Sequence, residues 1–254
     1  MGYVFNFSDA NKYEQWCASS KNRLAAELEN RLMLAMLKPV KGETVLDIGC
    51  GTGSYLFPFI ERGLQVTGLD PSPYMIDIAS RNMGNRVDLH KGVAEDLPFD
   101  DNSFNCVCLI KTLEFVDDPE KAVEEACRVA KDRIFIGIIN RYSSKAANLR
   151  VRRIFTKNIY NHAHFFSIWE LKNTVRRIVD NVPVSWRTVG RFPSIFGEIG
   201  QRMEQFFIVQ RLPFGAFAGM TVILVPRFRA RPLELPHSAN RAGAAMAGLT
   251  RRAR

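Results

Sequence analysis

The sequence has few histidines, cysteines and tryptophans and no long apolar run. Its 254 residues include four histidines, three tryptophans and five cysteines. The cysteines are scattered, odd in number and without the spacing of a disulfide framework or a zinc site. No apolar stretch approaches the roughly 18 residues of a membrane-spanning helix, and no secretory signal is visible at the start. We therefore expect no bound metal, no transmembrane segment and a reducing, cytoplasmic location.

Charge is abundant but unevenly placed. The chain is 46% apolar and 24% charged, as ordinary globular domains are, with a net charge of +9. Residues 141–177 contribute +8 and residues 227–254 contribute +6, so the remainder is acidic. Solvated surface explains both basic regions. The first would equally steer an anionic substrate, an acidic carrier protein or a membrane surface.

Strand and helix patterns alternate through the first 140 residues. A helix is predicted over 20–37, and further helices over 54–62, 73–82, 119–130 and 167–179. Buried strands are predicted at 44–48, 64–69, 87–90, 104–110 and 134–139, with two more at 184–189 and 216–225. Such alternation predicts an α/β fold with a doubly wound, mostly parallel sheet.

The first strand runs into a turn that contains Gly49, Gly51 and Gly53. Glycines allow a tight turn and a close approach of the backbone to a ligand. Position 54 is serine, whereas the dinucleotide fingerprint has its third glycine there. Asp47 precedes the turn, and a carboxylate there suits a cationic cofactor with an ammonium group better than a pyrophosphate. The turn favours S-adenosylmethionine over NAD, with an NAD-dependent dehydrogenase as the alternative.

Asp70 stands at the end of the second predicted strand. A carboxylate in this position of a nucleoside-binding α/β fold accepts hydrogen bonds from the ribose hydroxyls. An Asp-Pro pair after a strand is also a common helix start. Together with the glycine turn, Asp70 predicts a ribose site.

The segment Glu95-Asp96-Leu97-Pro98-Phe99 completes a resemblance. Together with Val-Leu-Asp-Ile-Gly-Cys-Gly-Thr-Gly at 45–53, it resembles the class I (Rossmann-like) S-adenosylmethionine-dependent methyltransferase superfamily. The resemblance covers roughly residues 40–140. The family's second motif corresponds to residues 94–105 and usually ends in aspartate, where this sequence has Asn105. The resemblance implies a seven-stranded sheet, an adenine contact from Asp96 and contacts to the methionine tail near Lys111. Residues implied to bind the cofactor are Asp47, Gly49, Cys50, Gly51, Gly53, Asp70, Pro71, Met75, Glu95, Asp96, Leu97 and Lys111.

Four side chains are candidates for catalysis. Tyr13 lies in Tyr-Glu-Gln-Trp, which resembles a lid element of the family and is alternatively a packing element. Glu114 follows the fourth strand, where it would act as a base or cap a helix. His162 and His164 lie after the fifth strand, where they would act as bases or hold the loop.

The expected organisation is a lid at 1–38, a cofactor-binding core at 39–140, a substrate cap with the last strands at 141–226, and a mobile basic tail at 227–254. The predicted function is methyl transfer to a small or carrier-bound acceptor that is partly apolar or anionic. A non-catalytic S-adenosylmethionine-binding scaffold and an RNA methyltransferase are the alternatives, although Ile110–Glu114 lacks the motif of amino-methylating nucleic-acid enzymes. Nucleic acid is therefore not the expected partner, and peripheral membrane contact stays open.

Overall fold

A computed structural model describes residues 2–155, 159–190 and 207–224. The basic tail predicted at 227–254 lies outside the described residues, as do Phe192, Phe196 and Phe206 of the predicted cap. Within the described ranges, no helix is both long and apolar enough to cross a membrane.

Seven strands form one sheet in the order β3-β2-β1-β4-β5-β7-β6. Strands β1 to β5 run parallel, and β7 is antiparallel to both β5 and β6. The doubly wound, mostly parallel sheet is confirmed. The strands are β1 Thr44–Ile48, β2 Gln65–Asp70, β3 Asp88–Lys91, β4 Phe104–Ile110, β5 Ala130–Ile139, β6 Val184–Val189 and β7 Phe217–Ile223.

Helices cover both faces of the sheet. They are α1 Phe7–Ala18, α2 Ser20–Leu37, α3 Phe57–Glu61, α4 Pro73–Met83, α5 Pro119–Val129, α6 Ser144–Phe155, α7 Ile168–Val179 and α8 Phe207–Gln210. Short 3₁₀ turns follow α4 at Gly84–Arg86 and α6 at Ile159–Asn161.

Alternating side chains of the central strands divide the core into two layers. Leu46 and Val107 belong to the cluster that includes α5 and α7. Val45 and Cys106 belong to the cluster that includes α2 and α3. Because successive strand residues point to opposite faces, a continuous apolar run serves both layers, as expected of a parallel sheet buried on both sides.

The segment predicted as a lid consists of two parts in the structure. Helix α2 covers one face of the sheet, where Leu32, Met33 and Leu37 are buried. Residues 2–5 and Tyr13 of α1 instead line a large cavity at the edge of the sheet. The division has a physical reason, since the sheet face at β5 and β7 needs an apolar cover and α2 provides it.

Several local predictions differ from the structure; β5, for example, begins at Ala130 rather than at residue 134. No helix is predicted over 141–165, but the structure has α6 there, at whose start Ser143 Oγ accepts a hydrogen bond from Ala146 N (3.1 Å). The helix expected from residue 54 begins only at Phe57, because the glycine turn continues through hydrogen bonds from Gly53 N to Cys50 O and from Leu56 N to Gly53 O.

Ser167 begins α7 with a capping box. Its Oγ accepts a hydrogen bond from Glu170 N (3.2 Å), and its own N–H donates to Glu170 Oε2 (2.8 Å). The helix predicted over 167–179 is confirmed, with Ser167 as its N-cap. We expect Ser167→Ala to lower the free energy of unfolding by about 1 kcal/mol in urea titrations, because it leaves the Glu170 N–H without its acceptor.

Ser80→Ala is the matched control, since Ser80 lies exposed within α4 and caps no helix end. Equal unfolding midpoints for the two variants would contradict the capping assignment.

Candidate cofactor and active site

The glycine turn after β1 is fixed to the end of β2 by backbone hydrogen bonds. Gly49 N and Cys50 N both donate to Leu69 O, at 2.7 and 3.0 Å. Gly49 and Gly51 have positive φ angles, which residues other than glycine rarely adopt. A Cβ on Gly49 would lie 2.5 Å from Thr112, whereas one on Gly51 would meet nothing within 4 Å. The turn therefore packs tightly against Thr112, just after β4, at Gly49. At Gly51 there is space in which a ligand can reach the backbone.

Asp70 links the turn to the next helix. Its Oδ2 accepts a hydrogen bond from Gly51 N and its Oδ1 accepts one from Ser72 N, both at 2.9 Å. Burial raises the pKa of Asp70 to about 6, although both hydrogen bonds favour the ionised form. Each carboxylate oxygen keeps a second lone pair. Asp70 can therefore accept hydrogen bonds from two neighbouring hydroxyls of a ligand while it holds the turn.

A cavity of about 1020 Å³, including its open mouth, lies beside these groups. It lies at the carboxyl ends of β1, β2, β4 and β5, next to the point where the strand order reverses, which is where open α/β sheets bind ligands. Residues 2–5 and Tyr13 close it from above. The predicted cofactor residues in its wall are Gly49, Cys50, Gly51, Asp70, Pro71, Met75, Glu95 and Lys111.

Two residues of the predicted cofactor set, Asp96 and Leu97, lie outside the described wall of the cavity. Leu97 is buried in the core, and its N–H donates to Glu125 Oε2 (3.0 Å). Asp96 is exposed and outside the cavity wall. The chain turns at this point, with Asp96 N donating to Val93 O (3.4 Å), so that Val93, Ala94 and Glu95 form the wall instead.

Asp47 and Gly53 lie behind the wall. Asp47 is 1% exposed, and its Oδ1 has no hydrogen-bond partner among the described residues. Burial, and then the charge of Asp70, raise the pKa of Asp47 well above its ordinary value. The unpartnered oxygen can accept a hydrogen bond from a ligand, and a cation nearby would favour the ionised form of the carboxyl group. The residues present therefore fit a cofactor that carries positive charge and a ribose.

Tyr13 is the one catalytic candidate that the structure places in the described wall of the cavity. Glu114 is buried behind it, where Oε1 accepts a hydrogen bond from Ile139 N (2.6 Å) and burial raises the pKa of the carboxyl group to about 7. His162 stacks on Tyr3 with ring centroids 4.3 Å apart. His164 Nε2 lies 3.2 Å from the Arg141 guanidinium, and the backbone N–H of His164 donates to Glu114 O. Both histidines therefore hold neighbouring segments together.

Several wall residues were missed from the sequence. Tyr55, Ile159 and Tyr160 line the cavity, as do residues 2–5. Thr112 Oγ1 donates to Ile48 O (2.7 Å) and fixes the end of β4 against β1. The position of Tyr55 directly after the glycine turn was an available signal, whereas the other residues reach the cavity only through tertiary packing.

Comparison with known proteins agrees with this geometry. Residues 46–135 match the family described as a methyltransferase domain. An uncharacterized methyltransferase of Mycobacterium tuberculosis is 37% identical over 103 residues, or 41% of this chain and 42% of that protein. A demethylmenaquinone methyltransferase of Renibacterium salmoninarum is 39% identical over 101 residues, or 40% of this chain and 42% of that protein. The chain thus aligns with less than half the length of these relatives.

A solved structure matches over a greater length. The Thermotoga maritima protein described as a SAM-dependent methyltransferase, possible histamine N-methyltransferase, superimposes with a TM-score of 0.66 at 27% identity. The match covers 85% of this chain and 96% of that chain. The chain therefore belongs to the class I, Rossmann-like superfamily of S-adenosylmethionine-dependent methyltransferases, and S-adenosylmethionine is the cofactor of that superfamily.

Proposed function

We propose that this chain transfers the methyl group of S-adenosylmethionine to a small acceptor that contains a ring. The observation that carries the proposal is the cavity itself, because the glycine turn and Asp70 stand at one side of it and an aromatic wall at the other. When bound, S-adenosylmethionine supplies an electrophilic methyl group next to a sulfonium. The residues of the chain bind it, orient it and exclude water.

The proposed orientation of the cofactor follows from the wall. Asp70 accepts the ribose hydroxyls, and Met75 with Val93 and Ala94 provides an apolar site for adenine. The opposite end of the glycine turn carries Tyr55, next to Lys111. Because Asp70 fixes the nucleoside, the methionine tail extends along the turn toward Lys111.

The acceptor end of the cavity is apolar and aromatic. Phe115, Ile139, Ile159 and Tyr160 line it, and the Phe115 and Tyr160 ring centroids lie 6.4 Å apart. Aromatic walls bind flat apolar groups through large contact areas at little cost in side-chain entropy. One of the relatives is named for demethylmenaquinone, and this wall suits a ring of that kind. These features support a ring-containing acceptor, free or attached to a larger carrier.

Two tyrosine side chains, Tyr13 and Tyr160, also line the cavity. Burial raises the pKa of Tyr13 well above its ordinary value and also raises that of Tyr160. Both side chains therefore stay uncharged near neutral pH, and in our proposal they shape the acceptor end of the cavity. Glu114, which holds Ile139 N, is assigned a positioning role for the same wall. Holding acceptor and donor in line supplies much of the rate in such a displacement.

Asp70→Ala tests the cofactor orientation. We expect the variant to bind S-adenosylhomocysteine at least about tenfold more weakly in isothermal titration calorimetry, since the ribose hydroxyls lose a charged acceptor. Asp77→Ala, a change of the same kind on the exposed face of α4, is the control and leaves the affinity unchanged. Unchanged affinity of the Asp70 variant would refute the assigned ribose site.

Cofactor affinity also depends on pH through Asp70. The pKa of this carboxyl is raised to about 6, so it is ionised above that pH and becomes protonated below it. If the ionised form is the binding form, the affinity for S-adenosylhomocysteine falls by about fourfold from pH 7.5 to pH 5.5. Calorimetry on Asp70→Asn, which cannot titrate there, gives the comparison, and the same pH dependence in that variant would exclude Asp70 as its source.

Turnover tests the reaction. With S-adenosylmethionine labelled in its methyl group, we expect transfer to hydroxylated aromatic or quinol acceptors and none to RNA or short aliphatic acids. Tyr160→Ala raises the KM for the acceptor by about tenfold, because it removes one wall of the acceptor site. Tyr142→Ala is the matched control, since Tyr142 is exposed and packs against Trp169 outside the cavity.

Cofactor binding without transfer to any acceptor would favour a scaffold, and labelled RNA would favour an RNA methyltransferase. Either result would overturn the proposed reaction.

A further inference from the structure

Lys111 is the one cationic side chain in the described wall of the cofactor cavity. It follows β4 with a positive φ of 56°, and its backbone N–H donates to Gly137 O (2.7 Å). A non-glycine residue in this conformation is uncommon and points to a local constraint. Lys111 also borders a second cavity between α1 and α2, of about 660 Å³ including its open mouth. Lys111 therefore lies between the two cavities and contributes to the wall of each.

A buried network fixes the ammonium of Lys111. Nζ donates to Glu29 Oε2 (2.6 Å) and to Tyr55 Oη (2.8 Å). Tyr55 Oη in turn donates to Glu29 Oε2, which closes a triangle. An ammonium has three donors, and these contacts use two of them. The third donor is available to a ligand in the cavity that Lys111 lines.

The charges around this network suit an anion. Glu29 is 4% exposed, and although its burial opposes ionisation, Lys111 and then Lys145 lower the pKa of this carboxyl. The Lys145 ammonium has no carboxylate within ion-pair distance in the described part of the chain and lies 5.9 Å from the Trp16 ring centroid. Lys145 thus adds positive charge near the Lys111–Glu29 pair, and Glu114 offsets part of it, so the third donor of Lys111 remains suited to an incoming anion.

The position of Lys111 identifies the anion. Asp70 bonds the glycine turn at Gly51, near its beginning, whereas Lys111 bonds Tyr55, beyond its end. A nucleoside held at Asp70 extends its 5′ substituent along the turn toward Lys111. In S-adenosylmethionine that substituent ends in an α-amino acid, whose carboxylate is the one anionic group of the cofactor.

We propose that Lys111 binds the α-carboxylate of the cofactor, and that Glu29 and Tyr55 hold the ammonium in place for it. The inference rests on the proposed function, since it assumes the same cofactor in the same cavity. It makes α2 part of cofactor recognition, because Glu29 belongs to that helix. Lys111 thereby discriminates between nucleosides with and without a carboxylate.

The test compares two ligands that differ by one carboxylate. Isothermal titration calorimetry measures the binding of S-adenosylhomocysteine and of its decarboxylated analogue, 5′-deoxy-5′-(3-aminopropylthio)adenosine. We expect the unaltered protein to prefer S-adenosylhomocysteine by at least about tenfold, as a hydrogen bond to a charged group typically gives. Lys111→Met abolishes most of this preference, and 5′-methylthioadenosine, which lacks the whole amino acid, binds both proteins equally.

Two further variants keep the experiment interpretable. Lys121→Met alters an exposed lysine far from the cavity wall and keeps the full preference. Lys111→Met leaves Glu29 buried without its partner, so the double variant Lys111→Met with Glu29→Gln, which removes both charges, is measured beside it. We expect the double variant also to lose the preference.

The possible failures are distinguishable. A preference that persists in Lys111→Met and in the double variant overturns the inference and leaves the proposed function standing, as does an unaltered protein that binds the two ligands equally. An unaltered protein that binds neither ligand overturns the inference together with the proposed function.

Discussion

The attachment of the glycine turn to the end of β2 is the contact on which the whole site depends. Gly49 N and Cys50 N donate to Leu69 O, and Gly51 N donates to Asp70. The turn therefore cannot move independently of the β1–β2 pairing, whose register is set by buried side chains on both faces of the sheet. Packing that stabilises the fold also positions the backbone that faces the ligand.

The same edge of the sheet carries an electrostatic cost. Asp47 and Asp70 are both buried, and burial raises the pKa of each carboxyl. For Asp70 the shift is from 3.8 to about 6, so the folded state holds a proton that the unfolded state has released between those values. Stability therefore decreases as pH rises through this window. A cationic ligand beside the carboxylates offsets that cost, which links the charge of the cofactor to the burial of these groups.

Local pattern predicted a large part of this structure, and its failures share a cause. The bounds of β1, β4, β6 and α2 agree with the predictions because apolar periodicity and flanking turn residues are local. The direction of the chain at Leu97 is not local, since Glu125 on α5 accepts its N–H. The burial of Glu29 is not local either, since it arises only because α2 packs on the sheet. Sequence therefore identified the glycine turn and Asp70, but not the wall opposite them.

The residues proposed for the cofactor and those proposed for the acceptor lie in different parts of the chain. The family match spans residues 46–135, which hold the glycine turn, Asp70 and Lys111. Four residues that we propose to surround the methionine tail and the acceptor lie outside that range: Tyr13, Glu29, Ile139 and Tyr160. The proposed nucleoside site therefore lies largely within the matched segment, whereas the proposed acceptor site depends largely on residues outside it. A likeness confined to residues 46–135 therefore supports the methyl donor and does not identify the acceptor, which in our proposal is selected by the residues packed around the other end of the cavity.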